Sequence, residues 1–280
     1  MPRVQLLLEC GADVEAVEAL GYTALMIACE VGQSEAVSLL VERGGANVNA
    51  ANNTDGYTAL MCSSFSGHLG IARLLERGGA SVNAASTDGS TALVWAAEKG
   101  HLEIVRFLVE RGGAVNAART TDGYSVLMAA CESGDLEIAR FLVARGGANV
   151  SAARTTDGMT ALMWASQNGH LETVRILVER GGANANAART TDGVTALMYA
   201  SQNGHEEIAR LLLERGGANV NAARANNGAT ALMSASASGH LETVRLLLQH
   251  GADRRARTHA WETAHALAFR HPLVQTALLV

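Results

Sequence analysis

Apolar and polar positions follow two recurring helix-length patterns along the chain, separated by polar loops. In residues 101–111, apolar side chains recur at helical spacing, as at Leu102, Val105 and Leu108. The segment before it opens on Thr91, a residue that caps helix N-termini well, and continues with strong helix formers until a glycine ends it. The pattern therefore predicts two short helices in succession.

This two-helix pattern is repeated over the whole chain. The repeat opens on a Thr-Ala-Leu anchor, with a Ser variant and a degenerate last copy, at Thr23, Thr58, Thr91, Ser125, Thr160, Thr195, Thr230 and Thr263. The steps between anchors are 35, 33, 34, 35, 35, 35 and 33 residues, and glycine follows each anchor except the last by nine residues. One such unit cannot bury its own apolar face, so we expect the units to stack into an all-α repeat solenoid.

The stretch after the second helix reads as a hairpin-like finger loop, because it carries an Asp-Gly turn. We expect a single domain over 1–280 whose terminal repeats are partial, acting as caps or belonging to a longer array. Its divisions are a partial repeat 1–10, repeats 11–43, 44–78, 79–111, 112–145, 146–180, 181–215 and 216–250, and a degenerate or capping repeat 251–280.

The repeat resembles the ankyrin repeat family. Residues 100–105 (Gly-His-Leu-Glu-Ile-Val) and 11–16 (Gly-Ala-Asp-Val-Glu-Ala) stand close to the family pattern, and the match covers essentially all 280 residues. Two departures recur: alanine replaces the family proline, and methionine replaces its histidine, so we expect a flexible apolar side chain to fill the gap between repeats. The resemblance implies binding of other proteins through a concave face and its fingers.

The positions four, seven and eight residues after each anchor lie on one stripe of the first helix, and the residues at four and seven vary from repeat to repeat. We expect a binding role for the following residues of this concave helix face: Trp95, Trp164, Tyr199, Phe65, Glu30, Glu98, Glu132, Gln167 and Gln202. The alternative for the aromatic side chains is packing between repeats. Three glutamates in the first half predict a basic or neutral partner segment there.

The fingers add a second set of candidate binding residues. Those that precede an anchor are Tyr22, Tyr57, Tyr124 and Met159, and those of the arginine ladder are Arg119, Arg154, Arg189 and Arg224. Aspartates before the turn glycines are interpreted as turn formers. The arginines either pair with these aspartates or face solvent, or they contact an anion.

Charge and composition narrow the function classes. The formal net charge is −5 and aspartates accompany the arginines, which disfavours a nucleic-acid partner. The four cysteines form no short pair, and the histidines outside the repeat positions are scattered, so we expect no disulfide, metal or cofactor. No stretch of 18 or more uncharged residues exists, so we expect no membrane partner.

Each group of polar side chains that could carry chemistry recurs in several repeats, whereas an active site would be unique. We therefore expect a non-catalytic protein–protein interaction scaffold. We also expect it to be monomeric and cytoplasmic or nucleocytoplasmic. The alternatives are an anion or nucleic-acid binder using the arginine ladder, and a designed or structural repeat array. The composition fits the repeat: 51 alanines suit closely packed helices, 29 glycines suit helix ends and turns, and only 4% of residues are aromatic.

Overall fold

The computed structural model describes residues 2–279, which divide into two compact units on either side of the Ser133–Gly134 bond. The first unit contains α1 (Pro2–Glu9), α2 (Ala24–Val31), α3 (Ser34–Glu42), α4 (Ala59–Phe65), α5 (Leu69–Arg77), α6 (Ala92–Glu98), α7 (Leu102–Glu110) and α8 (Val126–Ser133). The second contains α9 (Leu136–Ala144), α10 (Ala161–Asn168), α11 (Leu171–Glu179), α12 (Ala196–Gln202), α13 (Glu206–Glu214), α14 (Ala231–Ser238), α15 (Leu241–Gln249), α16 (Ala264–Leu267) and α17 (Pro272–Leu279).

Helices of the same kind stack within each unit. In the first unit, α2, α4, α6 and α8 pack in chain order, and α1, α3, α5 and α7 form a second row. In the second unit, α10, α12, α14 and α16 form one row and α9, α11, α13 and α15 the other. Each unit is therefore the all-α repeat solenoid that the sequence predicts. The single domain over 1–280 and the repeat boundaries stay predictions; the division into units falls inside the predicted repeat 112–145.

The anchor residue starts each first helix. The Thr58 hydroxyl accepts a hydrogen bond of 3.4 Å from the Met61 amide, which satisfies one of the free N–H groups of the helix start. Thr23, Thr160, Thr195, Thr230 and Thr263 cap their helices in the same way. Thr91 has the same extended backbone, but its hydroxyl makes no capping hydrogen bond.

A glycine and a histidine join successive first helices at their C-terminal ends. Gly32 adopts a φ of 83°, and a Cβ atom there would lie 2.6 Å from the His68 ring. His68 reaches back to the Glu30 carbonyl with its Nε2 atom at 3.2 Å. The same contact recurs from His205 to the Gln167 carbonyl in the second unit. These histidines therefore have the structural turn role that their position in the repeat predicts.

The finger loops are short hairpins, each closed by one antiparallel bridge, as between Ala51 and Thr58. The Asp88 carboxylate accepts a hydrogen bond from the Ser90 amide at 3.0 Å, and Asp122, Asp157 and Asp192 make the equivalent bond. The turn-forming role of these aspartates is confirmed. Asp55 differs, because the Asn52 side chain accepts the equivalent bond from the Tyr57 amide.

The core of each unit combines alanines with leucine, isoleucine, valine and methionine side chains. The methionines that replace the family histidine are nearly inaccessible to solvent, at Met26, Met61, Met128, Met163, Met198 and Met233. Asparagines link adjacent repeats near the ends of the second helices: Asn49 donates to the Gly79 carbonyl and accepts from the Ser81 amide. This packing fixes the first helices and fingers that carry the candidate site.

Candidate functional site

The candidate positions on the first helices range from exposed to buried. Four of the side chains seven residues after an anchor are exposed, namely Glu30, Phe65, Glu132 and Gln202, and two are half-buried, Glu98 and Gln167. Four residues after an anchor, Trp95, Trp164 and Tyr199 are half-buried. The equivalent Cys62 and Ala129 are buried, so this stripe is not accessible along its full length.

In the first unit, aromatic side chains gather around Trp95 on α6. The Trp95 ring meets Tyr57 edge-on at a centroid distance of 5.6 Å and an interplanar angle of 90°. Phe65 on α4 lies at the same distance, at 66°. Together with Tyr22 and Glu30, these rings line an open pocket of about 160 Å³, which we call the aromatic pocket. Met61 and Cys62 complete its lining, a contribution that sequence reasoning missed.

Arg119 borders the aromatic pocket. Its guanidinium lies over Trp95 at 5.8 Å and over Tyr124 at 4.6 Å, measured to the ring centroids. It also forms an ion pair with Glu98 at 3.0 Å and lies 3.8 Å from Asp88. Arg119 is therefore held by rings and carboxylates at once, and its charge is locally compensated.

Two of the finger candidates are almost inaccessible. Tyr124 is 4% exposed and Met159 is 3% exposed, so neither offers much surface to a partner. The Tyr124 hydroxyl donates a short hydrogen bond to the Glu132 carboxylate, and burial together with that bond raises the pKa of Tyr124. We therefore assign these two side chains to packing rather than to contact with a partner.

Tyr22 and Tyr57 are only half-buried and line the aromatic pocket. Burial raises the pKa of Tyr22, and the Cys62 thiol and the Glu30 carboxylate raise it further. Burial and Asp88 raise the pKa of Tyr57 in the same direction. In both residues burial is the main cause, so the phenol form is favoured.

In the second unit, arginines contact the aromatic side chains. The Arg154 guanidinium lies over Trp164 at 6.0 Å from its ring centroid and pairs with Asp157 at 3.2 Å. Arg189 donates to the Tyr199 hydroxyl at 2.7 Å. That hydroxyl also lies 3.6 Å from the sulfur of Met159, which belongs to the preceding repeat.

The rest of the arginine ladder is also paired. Arg189 lies 3.7 Å from Asp157 and 3.6 Å from Asp192, and Arg224 donates to the Gln202 side chain at 2.9 Å. Three of the four ladder arginines, Arg119, Arg154 and Arg189, thus pair with neighbouring aspartates, which is one of the arrangements that the sequence predicts. An anion would have to displace carboxylates from Arg119, Arg154 and Arg189, whereas Arg224 is held by the neutral Gln202 side chain.

The buried cysteines, candidate metal ligands and helix lengths add no further candidate site among the described residues. Burial raises the pKa of the Cys62 thiol to about 12 and also raises those of Cys29 and Cys131, so these thiols stay protonated and serve packing. Within residues 2–279 no group of three or more His, Cys, Asp or Glu side chains is placed to hold a metal ion. None of the helices in that range is long and apolar enough to span a membrane.

Lys99, the single lysine of the chain, is not among the predicted binding residues. Its ammonium group lies 4.7 Å from the Phe65 ring centroid and pairs with Glu98 at 3.1 Å. Because Lys99 immediately follows the helix end at Glu98, its position eight residues after the anchor could have pointed to this surface.

The comparison with known families agrees with the architecture. A family model described as "Ankyrin repeats (3 copies)" matches residues 2–86, 74–154, 147–224 and 182–258, which together span most of the chain. These matches cover both units, and they include the capped first helices, the finger bridges and the glycine–histidine turns described above. The chain therefore belongs to the ankyrin repeat family.

Proposed function

We propose that this chain is a non-catalytic scaffold that binds a partner protein or peptide through its first-helix and finger face. Ankyrin repeats are generally protein–protein interaction modules, and the family is typically non-catalytic. The observation that carries the finer proposal is the aromatic pocket, where accessible rings of Tyr22, Tyr57, Phe65 and Trp95 lie together on one face.

Side chains of these types suit partner binding for a physical reason. Large aromatic residues bury much apolar area at a small cost in conformational entropy, and they dominate measured binding energies at protein interfaces. The packing of α6 between α4 and α8 holds Trp95 in place before a partner arrives, which limits the entropy lost on association. The carboxylates of Glu30 and Glu132 favour a basic or neutral segment opposite them.

The test starts from a selection of peptides that bind the full chain, drawn from a displayed random library. Affinity of a selected peptide is then measured for the unmodified chain, for Trp95→Ala and for Phe65→Ala. We expect Trp95→Ala to weaken binding by about 30-fold or more, the effect of truncating a hot-spot residue of roughly 2 kcal/mol. Thermal unfolding of each variant shows whether it is still folded.

The matched control is Glu103→Ala on α7, a solvent-exposed residue of the second row of helices. Its affinity should stay within about twofold of the unmodified chain, because a surface change away from the site has little effect. Full affinity of a folded Trp95→Ala variant would contradict the proposal. So would an equal loss in Trp95→Ala and Glu103→Ala.

A further inference from the structure

The walls of the aromatic pocket stand at steep angles to one another. Trp95 meets Tyr57 at 90° and Phe65 at 66°, so the three rings form corners instead of a flat stack. Tyr22 adds a fourth ring to the lining. Several ring faces and edges are thus presented to one volume of about 160 Å³.

The base of the pocket is apolar and well packed. Met61 is 2% exposed and Cys62 is 7% exposed, and burial keeps the Cys62 thiol protonated. Apart from that thiol, the polar groups of the lining side chains are the two tyrosine hydroxyls, the Glu30 carboxylate and the Trp95 indole N–H, which is buried and has no hydrogen-bond partner among the described residues. An occupant would meet mostly aromatic surface and one full negative charge.

Cations already lie over two of the four rings. The Lys99 ammonium is 4.7 Å from the Phe65 centroid and the Arg119 guanidinium is 5.8 Å from the Trp95 centroid. Both cations pair with the same carboxylate, Glu98, at 3.1 and 3.0 Å. The electron-rich ring faces of this cluster therefore interact with positive charge within the molecule itself.

Glu30 is the lining carboxylate that these internal cations leave uncompensated. Its side chain is exposed, and it forms no ion pair with the side chains that the structure describes. Asp55 lies close enough to act with Glu30 on Tyr22, since both raise the pKa of that hydroxyl after burial and Cys62. The negative charge at this side of the pocket favours a cationic occupant.

We propose that the aromatic pocket binds a methylated ammonium group, presented by a methylated lysine side chain of the partner protein. The inference rests on the proposed function, because it names the chemistry of one partner residue at the same face. The four rings surround the methyl groups, and Glu30 supplies the opposing charge.

The sparse set of acceptors distinguishes this group from other cations. An arginine guanidinium carries five N–H donors and an unmodified lysine ammonium carries three, and the ammonium is strongly hydrated. The pocket offers one carboxylate and two hydroxyls against four rings. Methylation replaces donors by apolar surface and keeps the charge, which matches ring faces and a single carboxylate.

The direct test uses the full chain labelled with ¹⁵N and follows the indole N–H resonance of Trp95, assigned by its loss in Trp95→Phe. The probes are N-acetyl-Nε-trimethyllysine methylamide, the unmodified lysine compound, and a neutral isostere with carbon in place of the quaternary nitrogen. We expect a saturable shift of the Trp95 resonance with the trimethylated probe. The neutral isostere should bind at least about tenfold more weakly. The indoles of Trp164 and Trp261 are internal references.

Variants at two exposed or half-buried wall residues check the site. Glu30→Gln should weaken the trimethylated probe by about threefold or more, and Tyr57→Leu by about tenfold. Glu103→Gln on α7 is the matched control and should leave binding unchanged. Equal affinity for the charged probe and its neutral isostere would overturn the inference, as would a Trp95 shift that does not saturate or is unaffected by Tyr57→Leu.

The two proposals fail in different ways. If a selected peptide binds and depends on Trp95 while the trimethylated probe does not bind, the inference is wrong and the proposed function stands. If the probe binds as expected while peptide binding is indifferent to Trp95→Ala, the pocket chemistry stands and the proposed binding face is wrong.

Discussion

The two units place the same repeat positions in different surroundings. In the first unit, Trp95 contacts aromatic neighbours and borders an open pocket with an uncompensated carboxylate at Glu30. In the second, Trp164 and Tyr199 contact Arg154 and Arg189, and aspartates neutralise those arginines. The backbone pattern is the same, so the difference comes from the side chains at a few variable positions.

The contrast shows how a repeat scaffold separates stability from recognition. Core positions carry nearly the same residues in each repeat, and first-helix and finger positions vary without disturbing them. Aromatic side chains that line an open pocket, as in the first unit, offer binding energy to a partner, whereas the Tyr199 hydroxyl of the second unit is already bonded to Arg189. We therefore expect the first unit to contribute more to partner affinity than the second.

The largest expected effect is on the packed core, which the two units build from the same repeat positions. Leu93 and Leu197 occupy the same position, two residues after an anchor, and both are 1% exposed. Leu93→Ala and Leu197→Ala should each lower the free energy of unfolding by about 2–5 kcal/mol, the usual cost of a cavity left in a packed core. Denaturant unfolding followed by hydrogen exchange measures the loss and locates it in one unit. A change below about 1 kcal/mol in one variant would show that the cores differ as well as the surfaces.

A smaller effect separates the two surfaces. The Tyr199 hydroxyl accepts a hydrogen bond from Arg189, while the Tyr57 hydroxyl makes none with the described residues. Tyr199→Phe should therefore lower the free energy of unfolding by about 1 kcal/mol. Tyr57→Phe should change it by less than about 0.5 kcal/mol. Chemical denaturation of the two variants measures both changes. Equal losses of stability would contradict the contrast between Tyr199, which is bonded to Arg189, and Tyr57, which lines an open pocket.

Much of the fold follows from the sequence, because its determinants are local. The threonine caps, the glycines with positive φ and the aspartate turns depend on residues within one repeat, and they occur where the pattern predicts. Thr91 is the exception among the threonine anchors, since a residue type alone does not fix the distance and angle that a capping bond requires.

The candidate site was less predictable, because it depends on neighbours in other repeats. Spacing places Trp95 and Trp164 at the same repeat position. Trp95 nevertheless contacts the rings of Tyr57 and Phe65, which lie about 30 to 40 positions earlier in the chain. Trp164 instead contacts a finger arginine only ten positions earlier. Burial of Tyr124 and Met159 likewise depends on how adjacent repeats pack. The periodicity of a single sequence predicts which positions share a face. Which side chain buries another depends on the three-dimensional packing of the repeats.

The smallest expected effect is a pH dependence at the edge of the aromatic pocket. Burial of Asp88 favours its protonated form, but hydrogen bonds from Ser86 and Ser90, together with Arg119, outweigh burial and lower the pKa of the Asp88 carboxyl. The unfolded chain then binds this proton more tightly than the folded chain. The stabilisation is fully present above the unfolded pKa of about 3.9 and is lost as the pH falls through the lower folded value.

Comparison of the unmodified chain with Asp88→Asn isolates this contribution. We expect the unmodified chain to be the more stable of the two at pH 7, and we expect the difference in the free energy of unfolding to shrink as the pH falls below about 4. Denaturant unfolding at pH 7, 5, 4 and 3 measures it. A difference that stays near zero over this range would mean that the charge of Asp88 contributes nothing beside Arg119. Asparagine can accept the same turn bond from the Ser90 amide, so only the charge separates the two chains at that bond.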